Sequence, residues 1–225
     1  MIAGVNTIKD YFFMIKSSIR MVVKMLRGIK DVFYILFNRV YFWGMNVSFG
    51  KQMRITGPVN LIIRGKPENI IIGDNFTCYG ELVLNNREDG KILISDSVFI
   101  DKSVELCAAR SAIVKIGKRV TICPRFILNA GADVSIGEST VIAANCNVNA
   151  SERQRVIGIE MINQEYLHKP IKIGRDVWFG VGVSVLKGVS IGNGAIIGSN
   201  AVVASDIDDN AIAVGVPAKT VKFRE

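Results

Sequence analysis

An apolar residue recurs every six positions through the last third of the chain, a period that fits neither a helix nor an ordinary strand. A small residue usually follows the repeated position, and another small or branched apolar residue stands four positions after it. The repeated positions are Ile173, Phe179, Val185, Ile191, Ile197 and Val203. The spacing predicts a solenoid in which three short strands form each coil and stack on those of the next coil.

The same phase continues toward the N-terminus in four groups of three. These groups are Ile72, Cys78 and Leu84; Ile94, Ile100 and Leu106; Ile116, Ile122 and Leu128; and Ile136, Ile142 and Val148. Sixteen of the eighteen repeated residues are Ile, Leu or Val, which excludes a chance alignment. Residues 51–65 are expected to hold one degenerate coil, with Ile55 and Leu61 in phase. The glycine that often follows the inward residue is expected to permit a tight corner.

The additional residues between coils all fall at one place in the repeat. Steps within a coil are six residues long, whereas the steps from a third strand to the next coil are 10, 10, 8, 25 and 6 residues. One edge of the prism is therefore expected to carry every protrusion. The longest protrusion, residues 149–172, is the one loop long enough to close over a site.

Residues 1–48 form a separate N-terminal segment, in which the six-residue period is missing and one or two helices are predicted over 7–40. Its basic stripe consists of Lys9, Lys16, Arg20, Lys24, Arg27 and Lys30, and its opposite face of Ile15, Ile19, Val22, Met25, Leu26 and Ile29. Two interpretations stay open, and both can hold at once. The segment is either a cap on the first coil or a helix that lies in the plane of an anionic membrane.

Composition narrows the functional classes. The 225 residues carry a net charge of +8, which favours acidic partners. Nucleic acid is not expected as a partner, because the aromatic residues of the N-terminal segment lie among aliphatic residues rather than among the cations.

No stretch of about 20 apolar residues is free of charge, so a membrane-spanning helix is not expected. Four cysteines without a CxxC pair or a secretory signal indicate reduced thiols in a cytoplasmic protein.

Three segments in the last third carry a family resemblance. They are KPIKIG at 169–174, VWFG at 177–180 and GVPAK at 215–219. With the repeat, which covers about 70–222, they resemble the hexapeptide-repeat acetyltransferases, which include galactoside, maltose and polysaccharide O-acetyltransferases. The resemblance implies an all-β solenoid, a left-handed parallel β-helix over 49–222, after the N-terminal α-helical segment. It also implies a homotrimer that binds acetyl-CoA between neighbouring prisms and transfers the acetyl group to a carbohydrate acceptor.

The resemblance assigns six residues to acetyl-CoA. They are Trp178, Gly180 and Gly182 at the thioester end, Ser199 and Asn200 along the pantetheine arm, and Lys219 near the phosphate end. The expected reaction is acyl transfer to a sugar hydroxyl, or less readily an amine, in surface polysaccharide biosynthesis. The basic N-terminal segment would place this cytoplasmic protein at the inner membrane face.

The catalytic base is the point at which this chain departs from the family. The family's histidine follows the last inward residue before the large loop by about five positions, where this chain has Arg153, which cannot act as a base at neutral pH. His168, the only histidine, is one candidate from the other side of the loop, and Glu152 with a raised pKa is another. The alternative is an inactive β-helix that serves as a scaffold or partner subunit. A single histidine also excludes a three-histidine zinc site, so no metal is expected.

Overall fold

The computed structural model describes the backbone of residues 8–225 and the side chains of that range except those at 8–16, 19, 20 and 27. Several residues of the predicted amphipathic pattern therefore lie outside the described side chains. They are Lys9, Lys16, Arg20 and Arg27 of the basic stripe and Ile15 and Ile19 of the opposite face. None of the helices in the described part of the chain has the length and hydropathy needed to cross a bilayer.

One long helix precedes twenty-five short strands. Helix α1 spans Ile8–Gly44. The strands of the lower coils are β1 (Ser48–Phe49), β2 (Arg54–Ile55), β3 (Val59–Ile63), β4 (Ile70–Ile72), β5 (Thr77–Cys78), β6 (Leu82–Asn86), β7 (Lys91–Ile94), β8 (Phe99–Ile100), β9 (Val104–Ala108), β10 (Ile113–Ile116), β11 (Thr121–Ile122) and β12 (Ile127–Ala130). The later strands are β13 (Val134–Ile136), β14 (Val141–Ile142), β15 (Asn147–Asn149), β16 (Ser151–Arg153), β17 (Tyr166–His168), β18 (Ile171–Ile173), β19 (Trp178–Phe179), β20 (Ser184–Val185), β21 (Ser190–Ile191), β22 (Ile196–Ile197), β23 (Val202–Val203), β24 (Ala211–Val214) and β25 (Lys219–Phe223). Two 3-10 turns lie at Pro67–Asn69 and Met161–Asn163.

The strands form the three faces of a triangular prism. Face A is β1-β4-β7-β10-β13-β18-β21, face B is β2-β5-β8-β11-β14-β19-β22-β24-β25, and face C is β23-β20-β15-β12-β9-β6-β3. Pairing within each face is parallel until β25, which runs antiparallel to β24. Seven stacked coils result, and the predicted left-handed parallel β-helix is confirmed. We name the edges A–B, B–C and C–A by the faces that they join.

The repeated apolar residues fill the centre of the prism. All eighteen are at most 3% exposed, and residues six apart in the sequence lie on successive faces. Partners in neighbouring coils are in register, as with Ile94 beside Ile116 on face A. The degenerate coil is also present, because Ile55 pairs with Cys78 and Leu61 pairs with Leu84. Each such side chain contributes about 1.5–3 kcal/mol by leaving water, so the repeat itself is the main source of stability.

The glycine after the inward residue has a different purpose from the one predicted. A Cβ on Gly137 would lie 2.5 Å from the backbone nitrogen of Arg175, and one on Gly174 would lie 2.7 Å from that of Asn193. Glycine is therefore required because the backbone of the next coil passes against it. The left-handed backbone of the corner lies two residues later, at Ser139 (φ 58°) and Asp176 (φ 54°), so the predicted reason was wrong.

The end of α1 closes the first coil. Phe42 is fully buried in the prism core, and Tyr41 and Met45 pack against it. The Asn38 side-chain amide donates hydrogen bonds to the carbonyls of Tyr34 (2.8 Å) and Gly57 (3.4 Å). These contacts seal the apolar interior that the first coil would otherwise expose to water. The last turns of α1 therefore act as the cap that one interpretation predicted.

Candidate functional site

The long protrusion at the C–A edge folds back on itself as a two-stranded hairpin. Strands β16 and β17 pair antiparallel, with Ser151 opposite His168, Glu152 opposite Leu167 and Arg153 opposite Tyr166. Because side chains alternate across a strand, Ser151 and Arg153 lie on one side of the hairpin and Glu152 on the other. The two ends of the protrusion thus meet, as the position of His168 suggested.

His168 is held in a defined orientation at the base of this hairpin. Its Nδ1 lies 2.9 Å from the Ser151 hydroxyl oxygen, and its ring stacks at 6.0 Å from that of Tyr166. In the tautomer with the proton on Nδ1, that N–H donates to Ser151, and the lone pair of Nε2 is free. Partial burial and the nearby charge of Arg110 lower the pKa of His168 below 6.5. A neutral imidazole with a free lone pair can accept a proton at pH 7.

A cleft of about 350 Å³ opens beside this imidazole. Its lining combines side chains from several coils of the C–A edge: Arg87, Glu88, Ala109, Arg110, Asn129, Gly131, Ser151, Tyr166 and His168. The volume lies within the range typical of small-molecule sites. The turns of the earlier coils thus form one wall of the cleft, and the hairpin forms the other wall.

Gly131 provides the space that the His168–Ser151 pair occupies. A Cβ on Gly131 would overlap the His168 ring and lie 2.5 Å from the Ser151 hydroxyl oxygen. Sequence reasoning did not single out this residue. The one feature of the sequence that could have indicated its role is its position in the turn after β12, one coil before the hairpin.

Glu152, the other candidate base, lies in different surroundings. Its carboxylate forms ion pairs with Lys187 and Arg155. These residues, with Arg153 and Leu167, line a separate, smaller pocket of about 200 Å³ that shares no residue with the cleft of His168. The structure therefore does not bring Glu152 into the cleft of His168.

Arg153 stabilises the conformation of the protrusion. Its guanidinium donates to the carbonyls of Ile162 (3.1 Å) and Gln164 (2.8 Å), and it lies 4.4 Å over the Tyr166 ring. The buried Gln164 side chain in turn donates to the carbonyls of Val156 (2.7 Å) and Ile159 (2.8 Å). The residue at the family's base position thus binds backbone carbonyls, a role that guanidinium geometry suits.

Five of the six residues assigned to acetyl-CoA lie together at the B–C edge. Trp178 is half-exposed on face B, and the chain then turns through Gly180 and Gly182. The next coil places Ser199 against Gly180, where a Cβ would lie 2.6 Å from the Ser199 backbone nitrogen, and Asn200 against Gly182. The turns need these residues sterically, because Gly182 has φ +76° and Asn200 has φ 59°.

The sixth residue, Lys219, lies at the end of the same region. It is exposed on β25 and pairs with Val214, whose side chain covers Gly198. The B–C edge is separated from His168 by the strands of face C, including β20. One chain therefore does not bring His168 and the predicted acetyl-CoA residues into one site.

The four cysteines are free thiols. Burial raises the pKa of Cys78 to about 11, and it also raises the pKa of Cys107, Cys123 and Cys146. Protonated thiols are poor nucleophiles, so the site chemistry is better assigned to His168.

Comparison with known proteins connects this architecture to transferases. Residues 170–205 match the family described as bacterial transferase hexapeptide (six repeats). The chain is 32% identical over 196 residues to a probable acetyltransferase from Mycobacterium tuberculosis, covering 85% of this chain and 62% of that protein. It is 38% identical over 119 residues to a polysialic acid O-acetyltransferase from Escherichia coli O1:K1, covering 52% of this chain and 39% of that protein.

A solved structure shows the same fold. The N-acyltransferase AntD from Bacillus cereus, in complex with dTDP and 3-hydroxybutyryl-CoA, matches with a TM-score of 0.58 and 18% identity, covering 83% of this chain and 88% of AntD. The chain spans less than two thirds of the length of the two relatives above. The resemblance to hexapeptide-repeat acetyltransferases is confirmed.

Proposed function

Because this chain carries the hexapeptide repeat of bacterial transferases and resembles acetyltransferases over most of its length, we propose that it transfers an acetyl group from acetyl-CoA to a sugar hydroxyl. The observation that carries the proposal is the imidazole of His168, which Ser151 orients at the mouth of a cleft. The similarity to a polysialic acid O-acetyltransferase supports O-acetylation of a surface polysaccharide or its precursor. The four free thiols fit the reducing cytoplasm as the place of this reaction.

His168 supplies the base in this reaction. Nε2 accepts the proton of the sugar hydroxyl while the hydroxyl oxygen attacks the carbonyl carbon of the thioester. The C–S bond then breaks, and the departing thiolate of CoA takes the proton from the imidazolium. Ser151 holds the ring through Nδ1, and the tautomer with the proton on Nδ1 leaves Nε2 free to accept the proton of the acceptor.

A complete site requires a second chain. His168 lies at the C–A edge, whereas Trp178, Gly180, Gly182, Ser199 and Asn200 lie at the B–C edge. Two prisms packed side by side can bring the C–A edge of one chain to the B–C edge of the other. We therefore infer a homotrimer with acetyl-CoA in each groove and Lys219 near its phosphate end.

Mixed assemblies test this arrangement. His168→Ala and Trp178→Ala chains are each expected to have little activity when purified alone. Co-expressed, they form trimers in which some grooves combine an intact His168 with an intact Trp178, so part of the activity returns. Failure of activity to return would show that both residues serve a site within one chain.

Direct measurement of acetyl-CoA binding and turnover tests the function itself. The wild-type protein is expected to bind acetyl-CoA and transfer the acetyl group, and His168→Ala to bind it without transfer. Glu152→Gln is the matched control, because its ion pairs lie outside the cleft, and it should retain transfer. A wild-type protein that does not bind acetyl-CoA would instead favour an inactive scaffold or partner subunit.

The outer face of α1 supports peripheral contact with an anionic membrane. Ten apolar side chains at helical spacing are at least 49% exposed along this face: Val22, Met25, Leu26, Ile29, Val32, Phe33, Leu36, Phe37, Val40 and Trp43. The stripe is about 32 Å long at 1.5 Å per residue. It points away from the prism, because Asn38 and Phe42 on the opposite side contact the first coil. Side-by-side packing of prisms therefore leaves it uncovered.

Charge on α1 favours an anionic surface over a protein partner. The helix contains seven Lys and Arg residues and two Asp residues, and Lys30 and Arg39 are exposed beside the stripe. Basic amphipathic helices bind anionic lipid through burial of the apolar face and attraction of the cations.

Vesicle flotation tests membrane contact. The protein should float with vesicles of phosphatidylglycerol and phosphatidylcholine and less with phosphatidylcholine alone. Phe33→Asp should abolish flotation, whereas Gly28→Asp adds the same charge beside the stripe, where nothing lies within 4 Å, and should weaken it only slightly. Equal behaviour of the two variants, or no flotation of the wild type at low salt, would refute membrane contact.

A further inference from the structure

Arginine side chains occupy the C–A edge on three successive coils below His168. Arg64 and Arg87 occupy matching positions, because the Arg64 backbone N–H bonds the Asn86 carbonyl (2.9 Å) and that of Arg87 bonds the Ala108 carbonyl (2.8 Å). Arg110 follows on the third coil, and it lines the cleft of His168 together with Arg87. The row leads directly to the proposed base.

These guanidinium groups lack acidic partners. All three arginines are exposed, and among the described side chains no carboxylate lies within ion-pair distance of their guanidinium nitrogens. Glu88, the acidic residue of the cleft, accepts a hydrogen bond from the Arg110 backbone N–H instead. The cleft therefore offers two guanidinium groups whose hydrogen-bond donors are available to a ligand.

The charges of the row reach the groups around the cleft. Arg110 adds to burial in lowering the pKa of His168. Burial raises the pKa of the Cys107 thiol, and Arg87 and Arg64 oppose that rise while Glu105 and Glu88 reinforce it. The charges of Arg64, Arg87 and Arg110 therefore act on groups along this edge, from the Cys107 thiol to the imidazole, alongside those of Glu88 and Glu105.

We propose that Arg87 and Arg110 bind a carboxylate or phosphate group of the acceptor, which is therefore an acidic sugar unit. This inference rests on the proposed acetyl transfer. Guanidinium forms paired, charge-assisted hydrogen bonds with both kinds of anion. With the anionic group held by the arginines, a hydroxyl of the same sugar unit lies toward Nε2 of His168. Arg64 extends the row for the next unit of an acidic chain.

The single histidine allows binding to be measured without acetyl-CoA. In protein labelled with ¹³C-histidine, the one imidazole signal belongs to His168. D-Glucuronate tests a carboxylate, glucose 1-phosphate tests a phosphate, and D-glucose is the neutral probe, all at constant ionic strength. Both the signal position and the pH titration of His168 are followed as each probe is added.

The acidic probes should shift the His168 signal and raise its pKa, because an anion stabilises the imidazolium, whereas glucose at the same concentration should not. Arg87→Gln and Arg110→Gln should each weaken binding roughly tenfold or more, since each removes a charge-assisted hydrogen bond. Arg119→Gln is the control: Arg119 lies at the A–B edge with φ 55°, close to the φ 60° of Arg110. It should bind the probes as the wild type does.

Equal affinity for glucose, or no response to either acidic probe, would overturn the inference, as would wild-type binding by both Arg87→Gln and Arg110→Gln. Preference between glucuronate and glucose 1-phosphate identifies the anion, and either preference supports the site. Binding of acidic sugars without acetyl transfer would refute the proposed function alone. Transfer to neutral sugars without acidic binding would refute this inference alone.

Discussion

Trp178 and Phe179 are neighbours on strand β19, yet the Trp178 side chain is 53% exposed whereas Phe179 is fully buried in the prism. Phe179→Ala should lower the free energy of unfolding by about 3–5 kcal/mol, because it leaves a cavity in the core. Trp178→Ala should change it by less than about 0.5 kcal/mol but weaken acetyl-CoA binding. Urea unfolding and calorimetric titration measure the two effects. A strongly destabilised Trp178→Ala would assign Trp178 a structural purpose instead.

The pH dependence of transfer should report the state of His168. Because burial and Arg110 lower its pKa below 6.5, kcat/KM should be on its plateau at pH 7 and fall only below pH 6.5. Arg110→Gln removes one of these causes, so its acid limb should move to higher pH. An acid limb that is unchanged in Arg110→Gln would show that the charge of Arg110 does not lower the pKa of His168.

Because the pKa of His168 is lower in the folded chain than in the unfolded chain, the stability of the fold should decrease at acidic pH. As pH falls below about 6.5, the unfolded chain takes up a proton on His168 before the folded chain does. The free energy of unfolding should therefore decrease between pH 6.5 and the lower pKa of the folded state. His168→Gln should lose this part of the pH dependence, which urea unfolding at a series of pH values measures.

Gly131→Ala should impair catalysis by displacing the His168–Ser151 pair, since the new methyl group would occupy the position of the imidazole. We expect a fall of about 100-fold in kcat, consistent with a misplacement of about 1 Å. In a His168→Ala background the same substitution should cause little further loss. A large additional loss there would show that Gly131 acts through something other than the imidazole.

Arg153→Ala should loosen the protrusion without unfolding the prism. The substitution removes the hydrogen bonds to the carbonyls of Ile162 and Gln164, so limited proteolysis should cut faster within 155–165. Arg155→Ala is the control, because the Arg155 side chain contacts Glu152 rather than these carbonyls. Equal protease resistance of wild type and Arg153→Ala would refute the proposed structural purpose of Arg153.

The fold could be predicted from the repeat, because each repeated apolar residue marks a position that is buried in the prism. Positions such as Ile94, Ile116 and Ile136 are spaced by the geometry of the coil, so the strands and faces followed from counting. The protrusion has no such period, and its pairing of Ser151 with His168 depends on hairpin register. The contacts of Arg153 and Gln164 with backbone carbonyls have no counterpart in a sequence pattern.

The glycines show a second limit of prediction from the sequence. A glycine after an inward residue, such as Gly137 or Gly174, was visible in the sequence, but its cause was not. Close approach of the next coil and left-handed backbone both favour glycine, and only the structure distinguishes them.

Strand β25 has a consequence for how long such a prism can grow. It runs antiparallel beside β24 and is the last strand of face B, so the parallel stacking of that face stops there. With α1 across the first coil, both ends are closed to continued stacking. The repeat is therefore a finite unit rather than a seed for fibres, and its extension by added hexapeptides would first require removal of 219–223.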